Sequence, residues 1–269
     1  MKIAALQTVS GTSLAANLDH ARTLLAQAQA AGAELAVLPE YFCLMGQREH
    51  DKLQAREAFG HGEVQSFLAA QARALGLWIV GGTLPLAADS DAHVRNASLA
   101  YSPQGECVAR YDKIHLFKFD NGREQYDEAR VIEGGRMPQS FTLPSRDGHA
   151  WRVGLSVCYD LRFPELYRAL AADLLLVPSA FTYVTGQAHW ELLLRARAVE
   201  NLAYVCAPAQ GGRHENGRRT WGHSMVVDPW GAVLAVREPD GAGVVLAEID
   251  AARLAQVRAQ LPALEHRVL

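Results

Sequence analysis

Short apolar runs alternate with longer stretches of helical periodicity almost from end to end of the chain. Lys2–Gln7 is an apolar run of strand length, as a buried strand requires. Leu14, Leu18, Ala21, Leu24, Leu25 and Ala28 then recur at three- and four-residue intervals. This predicts a helix opened by Thr12 or Ser13 and closed at Gly32. Residues 35–38 predict a second strand, 64–75 a helix and 77–83 a third strand. Segments 94–101 and 106–111, separated by the turn-forming residues 102–105, predict a hairpin. A strand at 151–157, a helix at 164–171 with its proline in the first turn, and a strand at 174–177 follow. Residues 188–201 predict a helix carrying a Glu191/Arg195 pair at i,i+4. Strands near 203–207, 223–228, 232–236 and 244–248 precede a last helix from Ala251.

No linker or charge block interrupts this pattern, so residues 1–269 read as a single α/β domain of mixed sheets covered by helices. One internal echo is visible: AGAELAVLPEYF at 31–42 is matched by LAADLLLVPSAF at 170–181. Buried strand–helix units resemble one another, but a duplicated half with two sheets related by a pseudo-two-fold is the other reading. On that reading only the first copy has a carboxylate after the proline, Glu40 against Ser179.

Hydrophobic residues make up 49% of the chain, enough to bury a large core and exclude disorder. A net charge of −3 with no basic stripe argues against a nucleic-acid partner. No apolar stretch has the length and purity of a membrane helix, and MKIAALQ leads straight into a strand without signal-peptide architecture. Cys43, Cys107, Cys158 and Cys206 are far apart, which fits neither a disulfide framework nor a zinc motif. A cytoplasmic protein with reduced thiols is expected.

Open α/β sheets place their sites at strand carboxyl ends. Three such positions carry chemistry: Glu40 after LAVLP, Lys113 after ECVARYD and Cys158 after WRVGLSV. A base, a charge stabiliser and a nucleophile are what covalent acyl transfer requires. Each alone has an ordinary explanation, as a helix cap, a solvated turn residue or a small buried hydrophobe. A papain-like Cys–His pairing would need a histidine in a local context that none of the ten supplies. His115 and His189 read as hydrogen-bonded structural residues, and the Gly-rich segment with Arg213, Arg218 and Arg219 as a mobile solvated loop.

The strings LPEYF at 38–42, YDKIHLF at 111–117 and GLSVCYDLRFPELYR at 154–168 occur in order. With TGQAHWELLLRARAVEN at 185–201 and WGHSMVVDPWG at 221–231, they resemble the nitrilase superfamily of carbon–nitrogen hydrolases over almost the whole chain. The resemblance implies a four-layer αββα sandwich, two packed mixed sheets with helices outside, and a homodimer or higher homo-oligomer. It carries a Glu–Lys–Cys triad onto Glu40, Lys113 and Cys158. A second glutamate falls on Glu128, with Glu124 and Glu133 nearby as alternatives.

The mechanism these residue types imply starts with Lys113 favouring the Cys158 thiolate and Glu40 accepting its proton. Cys158 attacks the amide carbonyl, while Lys113 and the Tyr159 N–H stabilise the oxyanion. Glu128 orients Lys113 and the substrate; ammonia leaves and water cleaves the thioester. The scheme calls for no metal or cofactor. Arg162 is expected to bind a substrate carboxylate or to pair with Glu165 or Asp160, and Phe117, Phe181 and Thr185 to shape the pocket. The string CYDLRFPEL most resembles the branch of amidases acting on deaminated glutathione, with the ω-amidase branch (2-oxoglutaramate, 2-oxosuccinamate) next. A nitrilase-like binding protein without turnover is the alternative of a different class.

Overall fold

The computed structural model describes residues 1–122 and 124–268. In the first half the strands are β1 (Lys2–Gln7), β2 (Leu35–Val37), β3 (Trp78–Val80), β4 (Leu84–Ala87), β5 (Val94–Tyr101) and β6 (Cys107–Asp112). Then come β7 (Lys118–Asp120), β8 (Gln125–Asp127), β9 (Gln139–Pro144), β10 (Ala150–Leu155), β11 (Leu174–Leu176) and β12 (Tyr204–Ala207). The last are β13 (Gly211–Arg213), β14 (Arg219–Trp221), β15 (Met225–Val227), β16 (Val233–Val236) and β17 (Gly243–Glu248). Helices are α1 (Leu14–Ala30), α2 (Asp51–Gln54), α3 (Glu63–Leu75), α4 (Pro164–Leu170), α5 (Tyr183–Asn201) and α6 (Ala251–Gln260).

Parallel neighbours need crossovers, and the helices supply them. In the first sheet, order β17-β1-β2-β3-β5-β4 with β6 on β5, the parallel strands β1, β2 and β3 are linked through α1 and α3. In the second, order β16-β15-β12-β11-β10-β9, the parallel strands β10, β11 and β12 are linked through α4 and α5. Antiparallel strands flank both parallel trios: β17 and β5 in one sheet, β9 and β15 in the other. The two sheets therefore repeat one plan, as the internal echo suggested.

Side-chain alternation along β1 shows how the layers stack. Ile3 and Ala5 enter a core shared with Val153, Leu155 and Val205 of the second sheet, whereas Ala4 and Leu6 pack with Leu18, Leu25 and Leu68 of α1 and α3. The result is the αββα sandwich. Among the described residues no helix is long and apolar enough to cross a membrane.

Several boundaries depart from the sequence reading. The expected strand 77–83 ends at Val80, and the chain reverses into β4, which pairs antiparallel with β5. Gly82 makes the bend at φ +50°, where an added Cβ would lie 2.0 Å from the Pro39 carbonyl oxygen. Helix α5 starts at Tyr183 rather than 188, because Gly186 lets its first turns lie against Trp221. The segment taken for a mobile solvated loop forms the β13–β14 ribbon instead. Buried His214 anchors it, bonded to the Ser10 carbonyl (2.9 Å) and the Thr220 hydroxyl (2.8 Å).

Gly82→Ala is expected to lower the urea midpoint, with a loss of at least the ~1–3 kcal/mol of an overpacked site, because the opposing atom is backbone that cannot rotate away. An unchanged midpoint would show that the Pro39 peptide yields.

Candidate active site

Three strand exits converge on one cleft. Glu40 follows β2 by way of Leu38 and Pro39, Lys113 follows β6, and Cys158 lies three residues beyond β10 at the start of a 3-10 turn, Cys158–Arg162. Tyr41 and Cys158 both adopt left-handed backbone, φ +58° and +50°. For residues with a Cβ this costs ~1–3 kcal/mol, which the surrounding contacts must offset. The Cys158 N–H is held by the Pro178 carbonyl at 3.0 Å.

Glu40 and Lys113 are almost wholly excluded from water, at 1% and 0% exposure. Lys113 Nζ donates to Glu40 Oε1 at 2.9 Å and to both Glu128 oxygens at 3.0 and 2.8 Å. Glu40 Oε1 also accepts from Asn96 Nδ2 (2.9 Å), and Oε2 from the Ala180 N–H (3.0 Å). Ala180 stands in the second copy of the echo where Tyr41 stands in the first, so the two repeats meet at this carboxylate. Glu128 further accepts from the Tyr41 hydroxyl (2.8 Å) and the Phe117 N–H (2.7 Å). It is Glu128 that reaches Lys113; Glu133 pairs with Arg95, and the Glu124 N–H caps Asn121.

These contacts set the charges. Burial opposes the Lys113 ammonium, but Glu128 and Glu40 overcome it and hold its pKa well above the usual lysine value. Burial likewise opposes the Glu128 carboxylate, and Lys113 and Lys52 outweigh it, bringing the pKa below the usual range. The thiol departs from expectation. Lys113 does favour the thiolate, but burial and the neighbouring Glu40 charge prevail, so Cys158 is held well above the ordinary thiol range. Burial and Glu40 thus disfavour the thiolate, beside a Lys113 ammonium and a Glu128 carboxylate that favour each other's charged form.

The cleft, ≈ 340 Å³, is lined by Glu40, Glu128 and Cys158 and by all five residues expected to contact substrate. Tyr159 and Phe117 meet edge to face at 5.2 Å, Phe181 leans on Trp190, and the Thr185 hydroxyl bonds Thr182 at 2.8 Å. Arg162 forms no ion pair with Glu165 or Asp160. Its guanidinium donates to His189 Nδ1 at 3.3 Å and lies over the Tyr159 and Phe181 rings. Asp160, fully buried, instead takes the Tyr111 hydroxyl (2.7 Å), the Val157 N–H (2.8 Å) and His115, through its N–H (3.0 Å) and Nδ1 (2.7 Å). Tyr111 and His115 flank Lys113 by two residues on each side, so Asp160 fastens the lysine strand end to the cysteine turn.

Sequence reasoning missed Asn96, Tyr41, Thr182 and Arg218. Asn96 had a signal, an amide side chain among the apolar residues of a strand-length run. Arg218 lines the cleft from a segment read as solvated, carrying its guanidinium over the Tyr126 ring at 5.0 Å.

Known proteins match this arrangement over its whole extent. The carbon-nitrogen hydrolase family matches residues 2–259. A deaminated glutathione amidase of Synechocystis sp. is 42% identical over 98% of this chain and 97% of its own length. The Homo sapiens deaminated glutathione amidase is 39% identical, over 98% and 81%. The crystal structure of Saccharomyces cerevisiae Nit3, a member of branch 10 of the nitrilase superfamily, superposes with a TM-score of 0.87 at 29% identity, covering 100% of this chain and 97% of that one. The chain belongs to the carbon–nitrogen hydrolase family, within the nitrilase superfamily.

Proposed function

We propose that residues 1–269 form one amidase domain that cleaves a small carboxylate-bearing amide through a Cys158 thioester, with deaminated glutathione, the compound its relatives are named for, as the substrate type. The carrying observation is the meeting of the Cys158 thiol and the Glu40 carboxylate at one cleft rimmed by Arg162 and Arg218, with the buried Lys113 ammonium bonded to Glu40 behind them. A binding protein without turnover has no need of a buried charge row behind a thiol.

Glu40 takes the thiol proton as sulfur attacks the amide carbon, so the thiol need not ionise beforehand. Lys113 and the Tyr159 N–H, in the first turn of the 3-10 segment, stabilise the oxyanion. The C–N bond then breaks as Glu40 returns that proton to nitrogen. The leaving group is ammonia from a primary ω-amide, and the amine of cysteinylglycine from deaminated glutathione. Water next gives a proton to Glu40 and its hydroxide to the carbonyl; the C–S bond breaks and the thiol is reprotonated. The balance is amide plus water giving acid plus amine. Glu128 holds Lys113 and the Phe117 N–H throughout. A reducing, cytoplasmic setting suits this chemistry, and all four cysteines are free.

A homodimer is proposed through the outer face of α5 and β16. Leu192 and Val199 of α5 are 69% and 45% exposed, beside Trp230 and Leu234 at 54% and 44%. Arg195 bonds the Gly231 carbonyl, which makes the patch continuous. Patches of exposed large apolar side chains mark association surfaces.

With a slow amide, mass spectrometry finds the acyl adduct on the Cys158 peptide, and Glu40→Gln cuts turnover by at least ~10²-fold. Because the Glu40 charge raises the thiol pKa, the same variant moves the pH midpoint of Cys158 alkylation downward. An adduct on another cysteine, or an unmoved midpoint, contradicts these roles. Arg162→Leu is expected to cost ~10–150-fold in kcat/KM for a 2-oxo acid amide and much less for a neutral aliphatic amide. Equal losses would make Arg162 a scaffold residue. Light scattering is expected to show a dimer that Leu192→Glu with Trp230→Glu converts to monomer; a monomeric parent protein overturns that assembly.

A further inference from the structure

Beyond the Tyr41 and Arg218 side chains lies a second, polar cavity that shares those two residues as walls with the cleft holding Cys158. Its lining is cationic: Arg48, Lys52 and Arg218 against the single acid Glu49. Among the described residues none of these three cations makes an ion pair. Lys52 sits over the Tyr41 ring, 4.5 Å from its centroid, and Arg218 over that of Tyr126. The segment is braced, since Asn216 donates to the Gly46 carbonyl at 2.7 Å and accepts from the Arg218 N–H at 3.0 Å. Lys52 also supports the Glu128 carboxylate, whereas the exposed Arg48 has no charged partner within ion-pair distance among the described residues, so this cationic lining can take an anion from outside the chain.

The reaction fixes which part of a substrate faces this cavity. The departing nitrogen must lie on the Glu40 side of the carbonyl, because Glu40 protonates it. Tyr41, the next residue, is the shared wall. The acyl end, with its 2-oxo acid carboxylate, then points the other way, toward Arg162, Phe181 and Thr185. We infer that the second cavity is a leaving-group subsite in which Arg48 and Lys52 hold the terminal carboxylate of a peptide-like amine, so that the protein favours secondary ω-amides with an anionic leaving arm. This rests on the amidase reading above and adds to it the side of the substrate that the Cys158 cleft leaves unread.

The test compares deaminated glutathione with its C-terminal carboxamide, which share the reacting bond and the oxo acid end. The parent protein is expected to favour the carboxylate by about 10-fold or more in kcat/KM, the worth of a charge-assisted contact. Arg48→Met, at an exposed position, and Arg48→Met with Lys52→Met are expected to reduce that ratio stepwise toward one. Binding of S-methylcysteinylglycine and of its carboxamide to the Cys158→Ser protein, followed by NMR, reports on the subsite without turnover. The acid is expected to bind more tightly, and Arg48→Met to remove the difference. Equal rates and equal binding for the two forms overturn the subsite and leave the amidase standing. Turnover of 2-oxoglutaramate with none of either peptide amide overturns the deaminated-glutathione substrate type, and the binding comparison then decides the subsite by itself.

Discussion

The ammonium of Lys113, sealed from water between two carboxylates, is the constraint around which the rest of the site is arranged. An unpaired charge at that depth costs several kcal/mol, and deleting one member of such a group typically costs ~3–5 kcal/mol. The protein meets the cost with neighbours drawn from distant parts of the chain: Asn96 from β5, Ala180 from the turn after β11 and Phe117 beyond β6. Each is a hydrogen bond to one of the carboxylates, so placing the charge also fixes Glu40 against the Cys158 turn. Stability and chemistry here draw on the same contacts.

The repeated sheets explain why those neighbours are available. Two parallel trios packed face to face bring the ends of β2 and β11 to one place, and each strand leaves through a proline. The first exit supplies a carboxylate, the second a backbone N–H that binds it. Asp160 extends this economy, joining the segments that carry Lys113 and Cys158 through four hydrogen bonds and letting His115 stack on Phe163, ring centroids 3.7 Å apart.

Much of this was legible in the chain. The buried strands announced themselves as apolar runs, Glu40 and Cys158 stood where such runs end, and Lys113 where the more polar β6 ends. What stayed hidden has physical reasons. Strands β7 and β8, KFD and QYD, are three residues each, half polar and partly exposed, so they carry no readable alternation. The third strand was carried past Val80 to residue 83, because the glycine pair sits inside one apolar stretch, and β4 (Leu84–Ala87) was missed. The β13–β14 ribbon was misread because its glycines mark close approach, not mobility: an added Cβ on Gly211 would lie 2.5 Å from Gln7 Nε2 and from the Pro239 carbonyl oxygen. The partners of Arg162 were sought among its sequence neighbours, whereas the imidazole it meets lies 27 residues on in α5. Proximity made by tertiary packing leaves no local mark.

The burial that raises the Cys158 thiol pKa has a bearing on how the protein meets oxidants. Peroxide attacks thiolates, and the path from sulfenic to sulfonic acid begins only once sulfur carries charge. On the amidase reading, a sulfur that burial and the neighbouring Glu40 charge disfavour from ionising is less open to that chemistry while it waits. The geometry that disfavours the thiolate at rest therefore also works against its oxidation.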